Sequence, residues 1–194
     1  VETAVKQFGG EAIMTSSQHR CGTERLAEVA AKLPAKLYVN LQGDEPLARV
    51  EDISLLIKSM EAEGQADAGT LCHAITLEEA ADPNVVKVVF DHQGFALYFS
   101  RSRIPYERDG NGAAVSYWKH VGIYAFRPPA LQIYNPNQNQ PEMEQLEKLE
   151  QLRMLWHGLK IRVWQTTASA QGVDTPDQLN QVRQILAERI RNGI

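Results

Sequence analysis

Lys36-Leu37-Tyr38-Val39-Asn40-Leu41 runs straight into Gln42-Gly43-Asp44-Glu45-Pro46, and this stretch decides the fold class. The first six residues include strand formers, and the next five form a polar turn closed by proline. A strand that exits into such a turn is a unit of an open α/β sheet, whose ligands gather at the carboxyl ends of strands. The alternation recurs on either side. Residues 23–33 have helical spacing, with Leu26, Val29, Ala30 and Leu33 on one face. Residues 53–60 continue a helix, with Glu51 and Asp52 in its first turn, where the helix dipole favours acids. Strands are expected at 11–14, 68–75, 85–90, 118–126 and 160–165. Another, at 95–99, follows the hairpin turn Asp91-His92-Gln93-Gly94. Residues 128–134 read as a short helix, 142–156 as an amphipathic helix striped by Leu146, Leu149, Leu152 and Leu155, and 176–190 as the last helix.

This pattern predicts one α/β domain over 1–194, with a mainly parallel sheet and helices on both faces. The segment 85–126 is strand-rich and is expected to form an antiparallel excursion used for dimer contact. Between strands, 101–116 is irregular and polar, a loop candidate. Val1 has no Met before it, and 1–8 reads as the tail of a helix closed by Gly9-Gly10. The expectation is therefore that something upstream of Val1 is missing.

Composition narrows the function. The chain has 194 residues and a net charge of −4. General nucleic-acid binding rests on phosphate neutralisation by Lys and Arg, so this balance argues against a nucleic-acid partner. No apolar run approaches the roughly 20 residues that cross a bilayer, so no membrane span is expected. Cys21 and Cys72 stand in no metal or disulfide spacing, which points to a reducing cytoplasm.

Five groups of residues carry candidate chemistry. Asp44, after a strand, suits Mg²⁺, which takes one or two protein carboxylates and completes its shell with water and phosphate; a plain turn fits the pentapeptide as well. Asp174, in Gly172-Val173-Asp174-Thr175-Pro176, can be a second carboxylate near the same cation, or Thr175 and Pro176 simply open the last helix. Cys21-Gly22-Thr23-Glu24-Arg25 opens a helix whose N–H groups suit an anion, with Arg25 as a planar fork; the alternative is an ordinary start capped by Thr23. His120 and Tyr124 fall on one face of a strand, either as a pocket wall or as partners that satisfy each other. Glu147 and Gln151, one helical turn apart, can reach a ligand together or belong to a solvated face.

The order and wording of these stretches are distinctive. CGTERLAEV (21–29), VNLQGDEPL (39–47), PNVVKVVFD (83–91), ALYFSRSRIPYERD (96–109), KHVGIYAFR (119–127), LEKLEQLRMLWHG (146–158) and GVDTPDQL (172–179) together resemble the CMP-KDO synthetases, the 3-deoxy-manno-octulosonate cytidylyltransferases. The resemblance implies a Rossmann-like nucleotidyltransferase fold, a homodimer, Mg²⁺ as cofactor, and CTP and KDO as substrates. It implies a cytoplasmic reaction giving CMP-KDO and pyrophosphate for lipopolysaccharide biosynthesis. Carried over by motif, Asp44 and Asp174 hold the metal. Cys21, Gly22, Thr23 and Glu24 contribute to the nucleotide pocket. Arg25, Gln42, Arg101, His120, Tyr124, Glu147 and Gln151 contact the sugar acid, with Arg25 also catalytic. The family's motif reads Ser where Cys21 stands, and Cys is the weaker hydrogen-bonding group. The family also opens with a strand and a basic loop that grips the CTP phosphates, and a polypeptide without them is expected not to turn over.

Overall fold

Helices cover both faces of a six-stranded sheet. The computed structural model describes residues 2–43, 45–108, 115–137, 139–167, 173 and 176–191. Along the chain come α1 (Glu2–Gln7), α2 (Gly22–Lys32), β1 (Tyr38–Asn40), α3 (Val50–Ala62), β2 (Ala68–Ile75), α4 (Leu77–Ala81), β3 (Lys87–Phe90) and β4 (Ala96–Ser100). They are followed by β5 (Tyr117–Phe126), α5 (Pro128–Leu131), α6 (Glu142–Glu147), α7 (Leu152–Trp156), β6 (Ile161–Gln165) and α8 (Pro176–Arg191).

The sheet order is β4-β3-β5-β2-β6, with β1 also paired to β5. Four strands, β1, β2, β3 and β6, run in one direction, as an α/β domain requires. The reversed β5 lies among them, so β2–β6 is the parallel ladder and the pairs through β5 are antiparallel. The sheet is thus mixed where parallel pairing was expected to predominate. The β3–β4 pair is the hairpin read from Asp91–Gly94: Gly94 takes φ 82°, and the Asp91 side chain accepts from the Gln93 and Phe95 N–H groups.

Two apolar layers form on the two faces of the sheet. One packs Tyr38, Ala68, Phe99, Phe126, Leu131, Leu152 and Met154 beneath α2, α5 and α7. The other packs Leu56 and Met60 of α3 against Leu71, Val121 and Ile123. Gly69 is the point of closest approach: a Cβ there would stand 2.5 Å from the Trp164 ring and 2.8 Å from the Met60 sulfur. Arg127 closes α3 by donating to the carbonyls of Met60, Glu63 and Ala66, a cation at a helix C-terminus.

Two expected elements differ. Residues 11–14 form no strand, because their backbone groups find no ladder among the described strands. The helix expected over 142–156 is broken into α6 and α7. Lys148 adopts φ 54°, a left-handed conformation that ends α6. The break turns Leu146 out of the core, leaving it 75% exposed while Leu149 and Leu152 are buried.

Candidate active site

The outer edge of β5 is divided between two neighbours. Towards its start it meets β3, with Lys87 opposite Lys119 and the His120 N–H donating to the Val86 carbonyl at 2.9 Å. Towards its end it meets β1, with Asn40 opposite Tyr124. Between these contacts β5 bulges. Thr70 of β2 pairs with Tyr124 and Leu71 with Val121, so Gly122 and Ile123 are unmatched. Thr70 stabilises the bulge from within, its hydroxyl lying 3.0 Å and 2.9 Å from the Val121 and Ile123 carbonyls. A split sheet edge with a bulge beside it leaves a cleft of about 530 Å³.

Cys21, Gln42, Arg101, His120, Tyr124 and Gln151 all line this cleft, although the sequence spreads them from the start of α2 to the start of α7. Gln42 leaves the carboxyl end of β1, where an α/β sheet is expected to present its ligand groups. Its amide lies against Gly22, where a Cβ would stand 3.2 Å from the amide nitrogen. The Gln151 amide nitrogen is buried without a hydrogen-bond partner. The Tyr124 hydroxyl lies near Thr70 but makes no well-directed bond. Buried polar atoms without a partner are rare, and these two line the cleft, where an entering group can bond them.

The His120, Cys21 and Tyr124 side chains that line the cleft are uncharged, and the Glu150 carboxylate stands beside the last two. Desolvation pushes the His120 imidazole down to about 3, helped by the charge of Lys119, so it is neutral at physiological pH. It stands 3.1 Å from the Thr70 hydroxyl and packs edge-on against Phe99 and beside Tyr124. Burial pushes the Cys21 thiol up to about 12, with the Glu150 carboxylate adding to the effect. The Tyr124 phenol is raised for the same two reasons. These groups exchange hydrogen bonds and do not act as charges. Positive charge comes from the rim, which carries Arg20, Arg101 and Lys148.

Other expected residues support the cleft from behind. Glu24 is fully buried, accepting from Arg20 at 2.6–2.9 Å and from Arg153 at 3.1 Å. Thr23 donates its hydroxyl to Glu150 at 2.8 Å and its N–H to the same carboxylate at 3.3 Å. The helix cap expected of Thr23 is therefore supplied by Glu150, a distant anion at the helix N-terminus, because the N-cap residue Cys21 offers no side-chain bond. Arg25 points elsewhere, bonding Thr15 and the Ser16 carbonyl on an exposed face. Glu147 turns to the β4 corner, accepting from the Ser100 hydroxyl at 2.6 Å and the Arg101 N–H at 2.8 Å. Because the helix breaks between them, Glu147 and Gln151 do not share a face as their spacing suggested.

Glu150, Lys148 and Gly122 are cleft residues that the sequence reading missed. Glu150 stood in the same LEKLEQLR stretch, but a continuous helix assigns it to the solvated face. Asp44 and Asp174 lie outside the described residues. Glu45, next to Asp44, brings a carboxylate oxygen to 3.8 Å from where a Cβ on Gly122 would sit. Glu45 thus brings acidic oxygen, the donor type that Mg²⁺ takes, beside a residue that lines the cleft.

A family model described as "Cytidylyltransferase" matches residues 1–161. The chain belongs to the cytidylyltransferase family. It is 48% identical to the 3-deoxy-manno-octulosonate cytidylyltransferase of Escherichia coli over 98% of its own length and 76% of the relative's. It is 44% identical to the protein of the same name from Chlorobium limicola over 94% of this chain and 74% of that one. Among solved structures, CMP:2-keto-3-deoxy-manno-octonic acid synthetase complexed with CTP superposes with a TM-score of 0.91 at 48% identity, covering 97% of this chain and 77% of the other. A Bacillus anthracis structure named for glucose-1-phosphate thymidylyltransferase, 14% identical with a TM-score of 0.60 over 95% of this chain and 68% of that one, shares the fold. This nucleotidyltransferase fold is an α/β layer structure, as the sequence implied. No helix among the described residues is long and apolar enough to cross a membrane.

Proposed function

We propose that this cytidylyltransferase transfers CMP from CTP to 3-deoxy-manno-octulosonate, giving CMP-KDO and pyrophosphate. One observation carries the reading. Cys21, Gln42, Arg101, His120, Tyr124 and Gln151 converge on one cleft in a chain 48% identical to a relative named for this reaction.

In the reaction, the anomeric hydroxyl oxygen of the sugar acid bonds to the α-phosphorus of CTP. The bond from that phosphorus to the bridging oxygen breaks, pyrophosphate leaves, and the hydroxyl proton passes to solvent. Such transfers depend on alignment and charge neutralisation more than on covalent help from the protein. The sugar acid is an anion with many hydroxyls. Arg101 offers its carboxylate a charged donor, the terminal N–H groups that its protein contacts leave unused. Gln42, neutral His120, the Tyr124 hydroxyl and the free Gln151 amide offer hydroxyl partners. The orphaned polar atoms of Tyr124 and Gln151 fit a ligand rich in hydroxyls.

Asp44 and Asp174 are proposed as the holders of Mg²⁺. β1 and β6 run in the same direction, so the segments that follow them leave from the same edge of the sheet, and these carry the two aspartates. When bound, the ion supplies charge neutralisation to the phosphates and acidity to the attacking hydroxyl. We further propose that the protein works as a cytoplasmic homodimer in lipopolysaccharide biosynthesis, pairing through the 85–126 segment. β4 ends the sheet within that segment, with Leu97 exposed on it and Leu146 and Trp156 exposed on the helices behind it, and such apolar surface suits a subunit contact.

Pyrophosphate release tests the reading. It is expected to require CTP, KDO and Mg²⁺ together. Release with N-acetylneuraminate in place of KDO, and none with KDO, would assign a different sugar acid.

A further inference from the structure

Lys87 of β3 is a lysine with no exposed surface. Lysine is almost never fully buried, because its ammonium loses its hydration. Here the ammonium donates to three backbone carbonyls, those of Asp82 at 2.9 Å, Val85 at 2.5 Å and Arg101 at 2.6 Å. Three bonds use all three of its N–H groups.

The three carbonyls belong to two segments that meet at the cleft. The 82–86 loop holds the His120 N–H on the Val86 carbonyl, and its Pro83 carbonyl accepts from the Arg101 guanidinium at 3.2 Å. The other segment is Arg101 itself. Glu147 takes the Arg101 N–H through its carboxylate and the Arg101 Nε through its carbonyl, at 2.8 Å and 2.7 Å. With Lys87 on its carbonyl, Arg101 is fixed at its N–H, its C=O, its Nε and one terminal nitrogen. The remaining terminal nitrogen, Nη2, is the one these contacts leave for the cleft that Arg101 lines.

We infer that Lys87 is a positioning residue for sugar-acid binding, locking the 82–86 loop to Arg101 so that the guanidinium meets the substrate carboxylate in one orientation. The inference rests on the function proposed above. It explains why a charge is kept at a position where β3 otherwise buries apolar side chains. A methionine would fill the same space but leave three carbonyls without a donor, and the loop and the corner would be free to part.

Steady-state pyrophosphate release by Lys87→Met, Arg101→Ala and the double variant tests this, with Lys87→Gln as a milder second variant. The KM for KDO is expected to rise about tenfold or more in Lys87→Met, the scale of a lost bond to a charged group. The KM for CTP is expected to stay near the wild-type value. The double variant is expected to match Arg101→Ala alone, because the lysine acts through the arginine. Losses that multiply, or that fall equally on both substrates, overturn the inference. Hydrogen exchange at the Arg101 Nε–H, assigned in ¹⁵N spectra by its absence from Arg101→Ala, gives a readout that needs no turnover. Exchange is expected to quicken at least about tenfold in Lys87→Gln, as local opening becomes easier, and unchanged exchange refutes the lock. A wild-type protein that carries the family's N-terminal basic loop and is still inactive on KDO refutes the proposed function, while exchange still decides the role of Lys87. Failure of both Lys87 variants to fold reduces that role to a structural one and overturns the inference.

Discussion

Arg153→Met should be the most damaging single change in the scaffold of the cleft. Arg153 has no exposed surface and lies between two buried carboxylates. It donates to Glu144 at 2.8 Å and 2.6 Å and to Glu24 at 3.1 Å, and its guanidinium covers the Tyr134 ring at 4.8 Å. Methionine keeps much of the volume but leaves two carboxylates in the interior without their common partner. Removing one member of such a buried group costs about 3–5 kcal/mol. For a domain of this size each kcal/mol moves the melting temperature by about 2–4 °C, so the expected loss is about 6–20 °C. The pH dependence adds a second check. Burial alone would raise the Glu24 carboxyl, but bonds from Arg20 and Arg153 outweigh it and leave its pKa lowered. A lowered carboxyl contributes stability above its unfolded value, and that contribution is lost as the pH falls through the folded value. Without Arg153 one lowering cause is gone and Glu24 protonates at a higher pH. The gap between wild type and variant should therefore narrow from about pH 7.5 to about pH 4. Thermal melts followed by circular dichroism at both pH values measure this. A variant melting with the wild type at neutral pH, or a gap that widens in acid, refutes the reasoning.

His120 should stay neutral through physiological pH, and ¹⁵N spectra of its ring should show no titration near the ordinary value of about 6.5. Because it resists protonation only when folded, stability should fall as the pH drops below that unfolded value towards about 3, and His120→Gln should flatten the slope; an unaltered slope contradicts the assignment. Gly69→Ala should lower the midpoint of chemical denaturation by an amount equivalent to about 1–3 kcal/mol, since its Cβ meets Trp164 at 2.5 Å. A midpoint equal to the wild type's would mean that Trp164 and Met60 give way without cost. Asp44→Ala and Asp174→Ala should each cut Mg²⁺-dependent pyrophosphate release at least about a hundredfold, in keeping with the several kcal/mol a bound metal supplies, with far-ultraviolet dichroism unchanged. Wild-type rates in either variant would remove the metal assignment.

Much of the site was legible because its residues stand at strand ends and helix starts, where local pattern is strong. Gln42 follows the apolar run that becomes β1, and Cys21 precedes the amphipathic run of α2. His120 and Tyr124 share a face by strand periodicity alone. The bulge at Gly122 and Ile123 was not legible, since it arises from how β2 and β5 register around Thr70. Lys148 gave no warning either. Lysine is a good helix former, so nothing local announces a left-handed residue between two helical turns. That one dihedral separated Glu147 from Gln151 and moved Glu150 from an expected surface position to the start of α2.

By itself the sequence determined the α/β class, the family and the position of each described strand, because periodicity and motif wording are local properties that survive in one dimension, though it also read a strand at 11–14 that does not form. Tertiary structure alone decided which of the polar residues line the cleft and which bond to distant parts of the protein. Glu24, Thr23 and Glu147 read as binding residues in the chain, yet each found a protein partner in Arg153, Glu150 or Ser100. Burial makes such pairing obligatory, and the partners lie 129, 127 and 47 residues away along the chain, beyond the reach of any local pattern.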